Sequence, residues 1–269
     1  MKNSEKELSD VYEFLKPCKL EGYLRKEPSP SVLIFPGGGY AFVSPREAEP
    51  VAARFFEKGY NAFVLTYSTK DRAPGVHYPM QLFQAVAAIL YIRQNKQFLS
   101  ATDDVIVCGF SAGGHLASMA AVYYDRAEVK QAFGIEGSEA RPSAAILCYP
   151  VISAIENPHC GSFLNLTGKS NPKDFIFCST ELSVDSNTPP AFLWHTATDP
   201  VVNVKNSLAF VQRLERFKVP FELHIFESGD HGLSMCDEST WEGNPSLVRP
   251  DVGKWFELCV NWLNNRFKK

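Results

Sequence analysis

The sequence predicts an α/β fold, a single domain in which helices cover both faces of a mainly parallel sheet. Short runs that are apolar at every position alternate with segments whose apolar residues recur at helical spacing, and this alternation is typical of parallel sheets. The chain has 269 residues and is 45% hydrophobic, which is enough to bury a large core within one domain. We therefore expect one domain over residues 1–269.

Six strand patterns and five helical patterns follow one another along the chain. The strands are predicted at residues 31–35, 61–67, 104–109, 143–151, 190–196 and 220–227. The helices are predicted at residues 47–59, 78–95, 112–124, 206–217 and 252–267. In the segment 78–95, Leu82, Val86, Ile89 and Leu90 recur at helical spacing, which predicts an amphipathic helix.

The stretch from residue 152 to residue 189 interrupts this alternation. It is rich in Asn, Ser and Pro, contains only weak helical pieces, and lacks the apolar density for a core of its own. Ligands of parallel α/β sheets bind beyond the carboxyl ends of the strands. We therefore expect these residues to form a small lid-like insertion over that end of the sheet rather than a second domain.

Composition and charge disfavour several classes of partner. The formal net charge of −3 leaves no strongly basic surface, so nucleic acid is not expected as a partner. The charged start of the chain and the lack of an apolar stretch long enough to span a bilayer predict a soluble, cytoplasmic protein with no membrane partner. The seven cysteines show no CxxC pair and no zinc-type spacing, and only a surface disulfide between Cys160 and Cys178 is conceivable.

A serine stands where a predicted strand turns into a predicted helix. Gly109, Ser111 and Gly113 form a G-x-S-x-G sequence, in which the glycines permit a sharp turn and the serine hydroxyl is lifted clear of the sheet. Such a serine is a candidate nucleophile. The alternative is that Ser111 is an ordinary helix N-cap, and that Gly113 and Gly114 pack the helix against the sheet.

A nucleophilic serine needs a general base, which one of the six histidines must supply. His231 is our candidate because it lies in a glycine-flanked loop just after the last predicted strand, from which an imidazole can reach the sheet edge. His115 follows Ser111 by about one helical turn and is expected to face the interior as a structural residue. The remaining histidines are His77, His159, His195 and His224.

The third expected member of the site is a carboxylate that orients the base. Asp199 follows the fifth predicted strand and precedes a helix, which also allows a role as a helix N-cap. Asp230 is a second candidate, but it adjoins His231, and adjacent side chains on an extended loop usually diverge. The order Ser111, Asp199, His231, with each residue after a strand, is the order in which one large class of hydrolases carries its catalytic triad.

The glycine run "FPGGGY" at residues 35–40 follows the first predicted strand. Preorganised backbone donors stabilise the oxyanion of a tetrahedral intermediate, and a run of glycines leaves its N–H groups unobstructed. We expect the N–H groups of Gly38, Gly39 and Ala112 to form an oxyanion hole. A flexible glycine loop is the alternative, whereas a phosphate-binding loop is disfavoured because no GK[ST] sequence follows.

Three aromatic residues stand close to these predicted loops. Tyr40 adjoins the glycine run, Tyr67 ends the second predicted strand and Trp194 lies near the end of the fifth. Their ring faces are candidates for binding a polar sugar ring of a substrate. The alternative is that they pack beneath the insertion.

Six segments carry a resemblance to a known family. They are "PGGGY", "EAEPVAARFFEKGYNAFVLTYS", "YPMQL", "GFSAGGHLA", "HTATDPVV" and "GDHGL", within residues 31–235. They resemble the acetyl-esterase and acetyl-xylan-esterase-like branch of the α/β-hydrolase superfamily. The resemblance implies an α/β-hydrolase fold with a mainly parallel eight-stranded sheet, to which residues 11–26 supply short antiparallel strands. Pro36 stands where related lipases and esterases often carry a histidine, so the glycine loop must be anchored differently.

The residues and the resemblance together predict a serine carboxylesterase that forms an acyl-enzyme. We expect it to hydrolyse short-chain acyl esters, above all acetyl esters, of carbohydrates or other small polar substrates. A small-molecule ester is the expected partner, the chemistry requires no metal or organic cofactor, and a homodimer is left open. One alternative is another activity on the same fold: a feruloyl-type esterase, a formamidase or a small peptidase. The other is a non-catalytic ligand-binding protein.

Overall fold

An eight-stranded sheet forms the centre of the computed structural model, which describes residues 4–268. The strands are β1 Ser4–Glu7, β2 Lys19–Tyr23, β3 Ser29–Phe35, β4 Asn61–Thr66, β5 Ala101–Phe110, β6 Ala144–Cys148, β7 Ala191–Thr196 and β8 Phe221–Phe226. Their order in the sheet is β1-β2-β4-β3-β5-β6-β7-β8. The strands from β4 to β8 in this order pair parallel, whereas β2 pairs antiparallel with both β1 and β4. The predicted class, an α/β fold with a mainly parallel sheet, is confirmed.

The two antiparallel strands at one edge of the sheet differ from the prediction in one respect. Strand β2 lies within residues 11–26 as expected, but β1 lies nearer the start of the chain, outside that range. Its sequence, SEKE, is polar at every position, so no apolar pattern indicates a strand. Charged residues are common on edge strands because they discourage pairing with further chains.

Helices lie on both faces of the sheet. They are α1 Glu49–Glu57, α2 Met80–Gln94, α3 Ala112–Val122, α4 Ala127–Phe133, α5 Cys160–Thr167, α6 Lys205–Arg216, α7 Pro250–Gly253 and α8 Trp255–Phe267. Successive residues of a strand point to opposite faces. On β3, Leu33 packs into the core that contains α2, α3 and α6, while Ile34 packs into the core that contains α1 and α8. Both side chains are completely buried, which explains why the parallel strands are apolar at every position.

Helix α2 is buried more completely than its amphipathic pattern predicts. Gln81 and Gln84 are buried along with the apolar residues of the helix. The side-chain amide of Gln84 donates to the Lys16 carbonyl at 3.0 Å and to the Ser68 hydroxyl at 2.8 Å. The segment before β2 therefore contacts α2 and, through the Lys16 carbonyl, supplies an acceptor for a buried amide that would otherwise be unsatisfied.

The insertion at residues 152–189 is irregular and consists of α5 and two 3-10 helices, Pro172–Cys178 and Thr180–Ser183. It is anchored to α3, because His115 donates from Nε2 to the Cys178 carbonyl at 2.8 Å. It also contacts the glycine loop after β3, where the Asn165 side-chain amide donates to the Gly39 carbonyl at 2.9 Å. The insertion therefore lies against the end of the sheet that carries the glycine run.

The cysteines and helices of the described residues bear on two predictions, a surface disulfide and the lack of a membrane-spanning segment. All seven cysteines lie within residues 4–268 and are free thiols. Cys160 and Cys178 are both among these free thiols, so the conceivable disulfide between them does not form. Over the same residues, no helix has both the length and the apolar character needed to cross a membrane.

Candidate active site

Ser111 lies at the sharp turn between β5 and α3. Its backbone φ of 54° falls in the left-handed region, which is rare for residues other than glycine and often marks a functional position. Neither flanking glycine has room for a side chain. A Cβ on Gly109 would lie 2.0 Å from the Gly113 carbonyl oxygen, and a Cβ on Gly113 would lie 2.0 Å from the Phe35 carbonyl oxygen. Ser111 stands at the N-cap position of α3 and Gly113 packs closely against β3, as the alternative expects, but the Ser111 side chain makes no capping hydrogen bond.

Three side chains that are far apart in the sequence form a continuous hydrogen-bonded chain. His231 lies in the loop after β8, and its Nε2 is 2.8 Å from the hydroxyl oxygen of Ser111. Its Nδ1 is 2.7 Å from a carboxylate oxygen of Asp199, in the loop after β7. Because an ionised carboxylate only accepts, Nδ1 carries the proton and Nε2 accepts from the serine hydroxyl. The structure thus brings together the three residues that the sequence analysis selected.

Asp199 is buried and held by several hydrogen-bond donors. Its Oδ1 accepts from the backbone N–H groups of Val201 and Val202, both at 2.9 Å. Its Oδ2 lies 3.3 Å from Nε2 of His195, in addition to its contact with His231. Burial alone would raise the pKa of Asp199, but the hydrogen bonds from His195 and His231 outweigh burial and hold this pKa well below its usual range. The carboxylate is therefore ionised at neutral pH.

The structure distinguishes the alternatives for the carboxylate: Asp199 as a helix N-cap, and Asp230 as the partner of His231. Asp199 does accept backbone N–H groups, but they belong to the turn at residues 201–202, and α6 begins only at Lys205. Asp199 is therefore not the N-cap of that helix. Asp230 is exposed to solvent, and the carboxylate that contacts His231 is that of Asp199.

The glycine loop after β3 offers unused backbone donors near Ser111. Gly38 and Gly39 have φ values of 115° and 63°, which residues with side chains rarely adopt. Across residues 4–268, no acceptor takes a hydrogen bond from the N–H groups of Gly38, Gly39 or Ala112. Ala112 follows Ser111 directly, and both glycines line the same cleft as Ser111. All three N–H groups therefore lack an acceptor among the described residues, which the predicted oxyanion hole requires.

The glycine loop is anchored without a histidine at position 36. The Tyr67 hydroxyl donates to the Pro36 carbonyl oxygen at 2.6 Å. The next residue, Gly37, donates its N–H to the Glu47 carboxylate at 2.8 Å. A tyrosine from the end of β4 and a glutamate from the segment before α1 thus hold the backbone of the loop.

The prediction that Tyr40, Tyr67 and Trp194 bind the substrate is wrong. Their exposed fractions are 1%, 0% and 0%, and none of them lines the cleft at Ser111. The Tyr40 hydroxyl lies 2.9 Å from Nδ1 of His115, and Trp194 stacks on Trp255 with ring centroids 5.2 Å apart. The three rings therefore lie in the packed layers beside the sheet rather than over its edge.

His115 is buried and structural, as its helical position predicts. Its Nε2 donates to the carbonyl of Cys178, so Nδ1 accepts from the Tyr40 hydroxyl. Burial lowers the pKa of His115 to about 4, and the ring is therefore neutral at pH 7. His115 joins Tyr40, next to the glycine loop, to the insertion.

A cleft with a volume of about 390 Å³ opens at Ser111 and His231. One wall comes from the segment after the glycine loop and contains Phe42 and Arg46. Phe42 is 50% exposed and offers an apolar ring. The Arg46 guanidinium donates to the Thr240 carbonyl at 3.1 Å and pairs with the Glu242 carboxylate at 3.4 Å, which holds it at the edge of the cleft.

The cleft is also lined by three residues that are not among the predicted site residues: His159 and Asn165 of the insertion, and Val201 of the loop after β7. The Nδ1 of His159 is 2.8 Å from the Ser162 hydroxyl. Burial lowers the pKa of His159. His159 and Asn165 belong to no recognisable motif, and Val201, although it lies in the segment HTATDPVV, carries no polar group that would indicate a site.

The chain matches a family model and several known proteins. The BD-FAE family model matches residues 22–214. Endo-1,4-beta-xylanase B of Butyrivibrio fibrisolvens is 36% identical over 219 residues, which are 79% of this chain and 34% of that protein. Acetylxylan esterase of Xylanibacter ruminicola is 31% identical over 248 residues, 87% of this chain and 47% of that protein. The chain thus spans less than half the length of either relative.

Solved structures resemble the chain over nearly its whole length. The acetyl ester-xyloside bifunctional hydrolase of Caldicellulosiruptor lactoaceticus has 34% identity and a TM-score of 0.85, covering 97% of this chain and 96% of that one. A carboxylesterase of Lactobacillus plantarum has 27% identity and a TM-score of 0.81, covering 93% and 94%. These likenesses agree with the resemblance carried by the sequence segments. The chain belongs to the BD-FAE family and has the α/β-hydrolase fold.

Proposed function

We propose that this chain is a serine carboxylesterase that hydrolyses short-chain acyl esters, with acetyl esters of carbohydrates or other small polar alcohols as its substrates. The observation that carries the proposal is the hydrogen-bonded chain from Ser111 through His231 to Asp199, which ends in a cleft lined by unused backbone donors. This arrangement meets the geometric requirements for an activated serine nucleophile.

The proposed mechanism follows from these contacts. Ser111 attacks the ester carbonyl while His231 takes its proton at Nε2, and Asp199 stabilises the imidazolium that forms. The N–H groups of Gly38, Gly39 and Ala112 bind the oxyanion of the tetrahedral intermediate. His231 then protonates the leaving alcohol, which leaves the acyl group on Ser111. Water activated by His231 hydrolyses the acyl-enzyme by the reverse sequence of proton transfers.

The cleft supports a small and partly polar substrate. Its volume of about 390 Å³ lies near the lower end of the range for small-molecule sites. Arg46, His159 and Asn165 provide polar side chains around it, and these groups suit an alcohol that carries hydroxyls. The names of the xylanase, the acetylxylan esterase and the acetyl ester-xyloside hydrolase among the relatives make acetylated xylo-oligosaccharides the first substrates to test.

The test is acetate release from acetylated xylo-oligosaccharides, together with hydrolysis of p-nitrophenyl acetate, butyrate and octanoate. We expect the rate to fall as the acyl chain lengthens. Ser111→Ala should retain the fold by circular dichroism and lose about 10⁴-fold or more in kcat/KM, since removal of a triad member leaves only residual catalysis. Turnover by Ser111→Ala at the rate of the unaltered protein would contradict the proposed mechanism.

A feruloyl-type esterase is a second candidate because of one observation. Phe42 and Val201 are each 50% exposed, and both line the cleft, where they could pack against an aromatic acyl group. Methyl ferulate and p-nitrophenyl acetate separate the two candidates when kcat/KM is compared. A preference for the ferulate ester would favour this second function over the acetyl esterase.

A further inference from the structure

Glu47 is a buried carboxylate that lines the cleft and takes no part in the proposed proton transfers. Its exposed fraction is 3%. A glutamate is rarely buried to this degree unless specific partners satisfy it. Both of its oxygens have such a partner: Oε2 accepts from the Gly37 N–H at 2.8 Å, and Oε1 accepts from the Tyr149 hydroxyl at 2.6 Å.

The Gly37 contact acts on the glycine loop directly beside the nucleophile. A Cβ placed on Gly37 would lie 2.7 Å from Oε2 of Glu47 and 3.0 Å from Cβ of Ser111, so the three residues are closely packed. Gly37 immediately precedes Gly38 and Gly39, the proposed oxyanion donors. The Glu47 carboxylate therefore holds the backbone that carries these donors next to the reacting hydroxyl.

The Tyr149 contact reaches the histidine loop. The Tyr149 hydroxyl donates to Glu47 and accepts from the Ser234 N–H at 3.0 Å. The Tyr149 ring packs edge to face against His231, with centroids 5.0 Å apart. A further bond, from the Ser234 hydroxyl to the Arg46 carbonyl at 2.9 Å, joins the same loop to the residue before Glu47.

We propose that Glu47 is a positioning residue that sets the oxyanion donors and His231 in place relative to Ser111. It acts through Gly37 on one side and through Tyr149 on the other. The inference rests on the proposed function and adds to it a residue outside the hydrogen-bonded chain of Ser111, His231 and Asp199.

Removal of the carboxylate should lower the rate of the chemical step. Glu47→Ala loses both hydrogen bonds, and a displacement of about 1 Å at a catalytic group costs on the order of 10²-fold in rate. We expect kcat for p-nitrophenyl acetate to fall by roughly 10- to 100-fold, with KM within about threefold, because oxyanion donors act mainly in the transition state. Glu47→Gln keeps a carbonyl oxygen for the Gly37 N–H and should recover most of this rate.

A double-mutant cycle tests whether the two contacts act as one bridge. Tyr149→Phe keeps the bond between Glu47 and Gly37 but loses the bonds to Glu47 and Ser234, so we expect a smaller loss in kcat of about three- to tenfold. In the Glu47→Ala background the tyrosine hydroxyl has already lost its acceptor. The two losses should therefore be less than additive.

Tyr60→Phe is the matched control for structural effects. Tyr60 is also buried, and its hydroxyl donates to the Asn264 side chain on α8 at 2.9 Å, outside the cleft. We expect Tyr60→Phe and Tyr149→Phe to lower the melting temperature by similar amounts. Tyr60→Phe should nevertheless keep the kcat of the unaltered protein. All rates are measured well below the melting temperature of each variant, and kcat is normalised to the fraction of protein titrated by a fluorophosphonate.

Two results would overturn the inference. One is a folded Glu47→Ala variant with kcat within twofold of the unaltered protein. The other, which decides the matter if that variant does not fold, is an unchanged kcat in Tyr149→Phe. Either result would be obtained while the unaltered protein is active, so it is distinguishable from failure of the proposed function. If the unaltered protein shows no Ser111-dependent ester hydrolysis, the proposed function is overturned, and the inference about Glu47 with it.

Discussion

The two sides of the cleft are built in different ways. Ser111, Asp199 and His231 follow β5, β7 and β8 respectively, so the order of strands in the sheet brings them to one edge. The insertion also lines the cleft: His159 lies just before α5, and Asn165 lies within α5 and donates its side-chain amide to the Gly39 carbonyl. The ends of the sheet strands therefore position the proposed chemistry, and the insertion positions side chains that we propose contact the rest of the substrate.

This difference separates two kinds of effect. A substitution on the side formed by the strand ends should change the rate with every ester, because it alters groups that act on the reacting carbonyl. A substitution in the insertion should mainly change the relative rates of different esters. Substitutions on each of the two sides test this separation.

The largest effect is expected at Asp199. Asp199→Asn should lower kcat for p-nitrophenyl acetate and for acetylated sugars alike by about 10⁴-fold, because an amide no longer enforces the His231 tautomer that accepts the serine proton. KM should change little. Asp230→Asn, at the exposed carboxylate next to His231, is the control and should retain full activity. A loss below about tenfold in Asp199→Asn would mean that another group orients the histidine.

A large effect is also expected in the glycine loop. Gly38 has a φ of 115°, and a Cβ there would lie 2.2 Å from the Phe42 carbonyl oxygen. Gly38→Ala should displace an oxyanion donor and lower kcat by about 10²- to 10³-fold. Gly75→Ala is a matched control, since Gly75 also has a positive φ of 78° but no atom within 4 Å of its Cβ position. Similar kcat values in the two variants would show that the loop does not stabilise the transition state.

The free energy of unfolding should depend on pH through His115, which joins the segment beside the glycine loop to the insertion. The folded protein has a pKa of about 4 at this residue, below the ordinary value of 6.5. Between pH 6.5 and 4 the unfolded chain therefore binds a proton that the native state does not, and the free energy of unfolding falls as the pH decreases. Over this range His115 lowers the free energy of unfolding by about 3 kcal/mol.

His115→Gln removes this titration while the side-chain amide can still donate to the insertion. We expect urea denaturation to give a free energy of unfolding that varies less between pH 6.5 and 4 than in the unaltered protein. An identical pH dependence in the two proteins would show that His115 does not cause the acid destabilisation.

The smallest effect is expected at His159. Loss of one hydrogen bond to a substrate costs about 1 kcal/mol, so His159→Ala should lower kcat/KM for acetylated xylo-oligosaccharides roughly fivefold. With p-nitrophenyl acetate, whose alcohol carries no neighbouring hydroxyl, we expect a change below twofold. Lys173→Ala, at an exposed residue of the same insertion that does not line the cleft, should alter neither substrate. An equal loss on both substrates would place His159 with the reacting groups.

The difference between the strand ends and the insertion also explains which features could be predicted from the sequence. Ser111, Asp199 and His231 were selected because each stands after a strand pattern, and parallel strands end at a common edge. The same logic could not place Tyr67 or Trp194. Sequence indicates that a residue is near the end of a strand, but the direction of its ring depends on which packed layer has room for it.

Other features depended on contacts that no local pattern records. Strand β1 is polar throughout, and its pairing with β2 makes it a strand. Glu47 lies in a segment that reads as the start of a helix, yet its carboxylate contacts Gly37 and Tyr149, which are distant from each other in the chain. His159 and Asn165 reach the cleft only through the path of the insertion.

Covalent labelling tests the central claim most directly. The protein is treated with a fluorophosphonate, and the modified peptide is identified by mass spectrometry. We predict one label per chain on Ser111 and no label on Ser111→Ala. In His231→Ala the labelling rate should fall at least about 100-fold, because the base is missing. Labelling at another residue, or an undiminished rate in His231→Ala, would contradict the account.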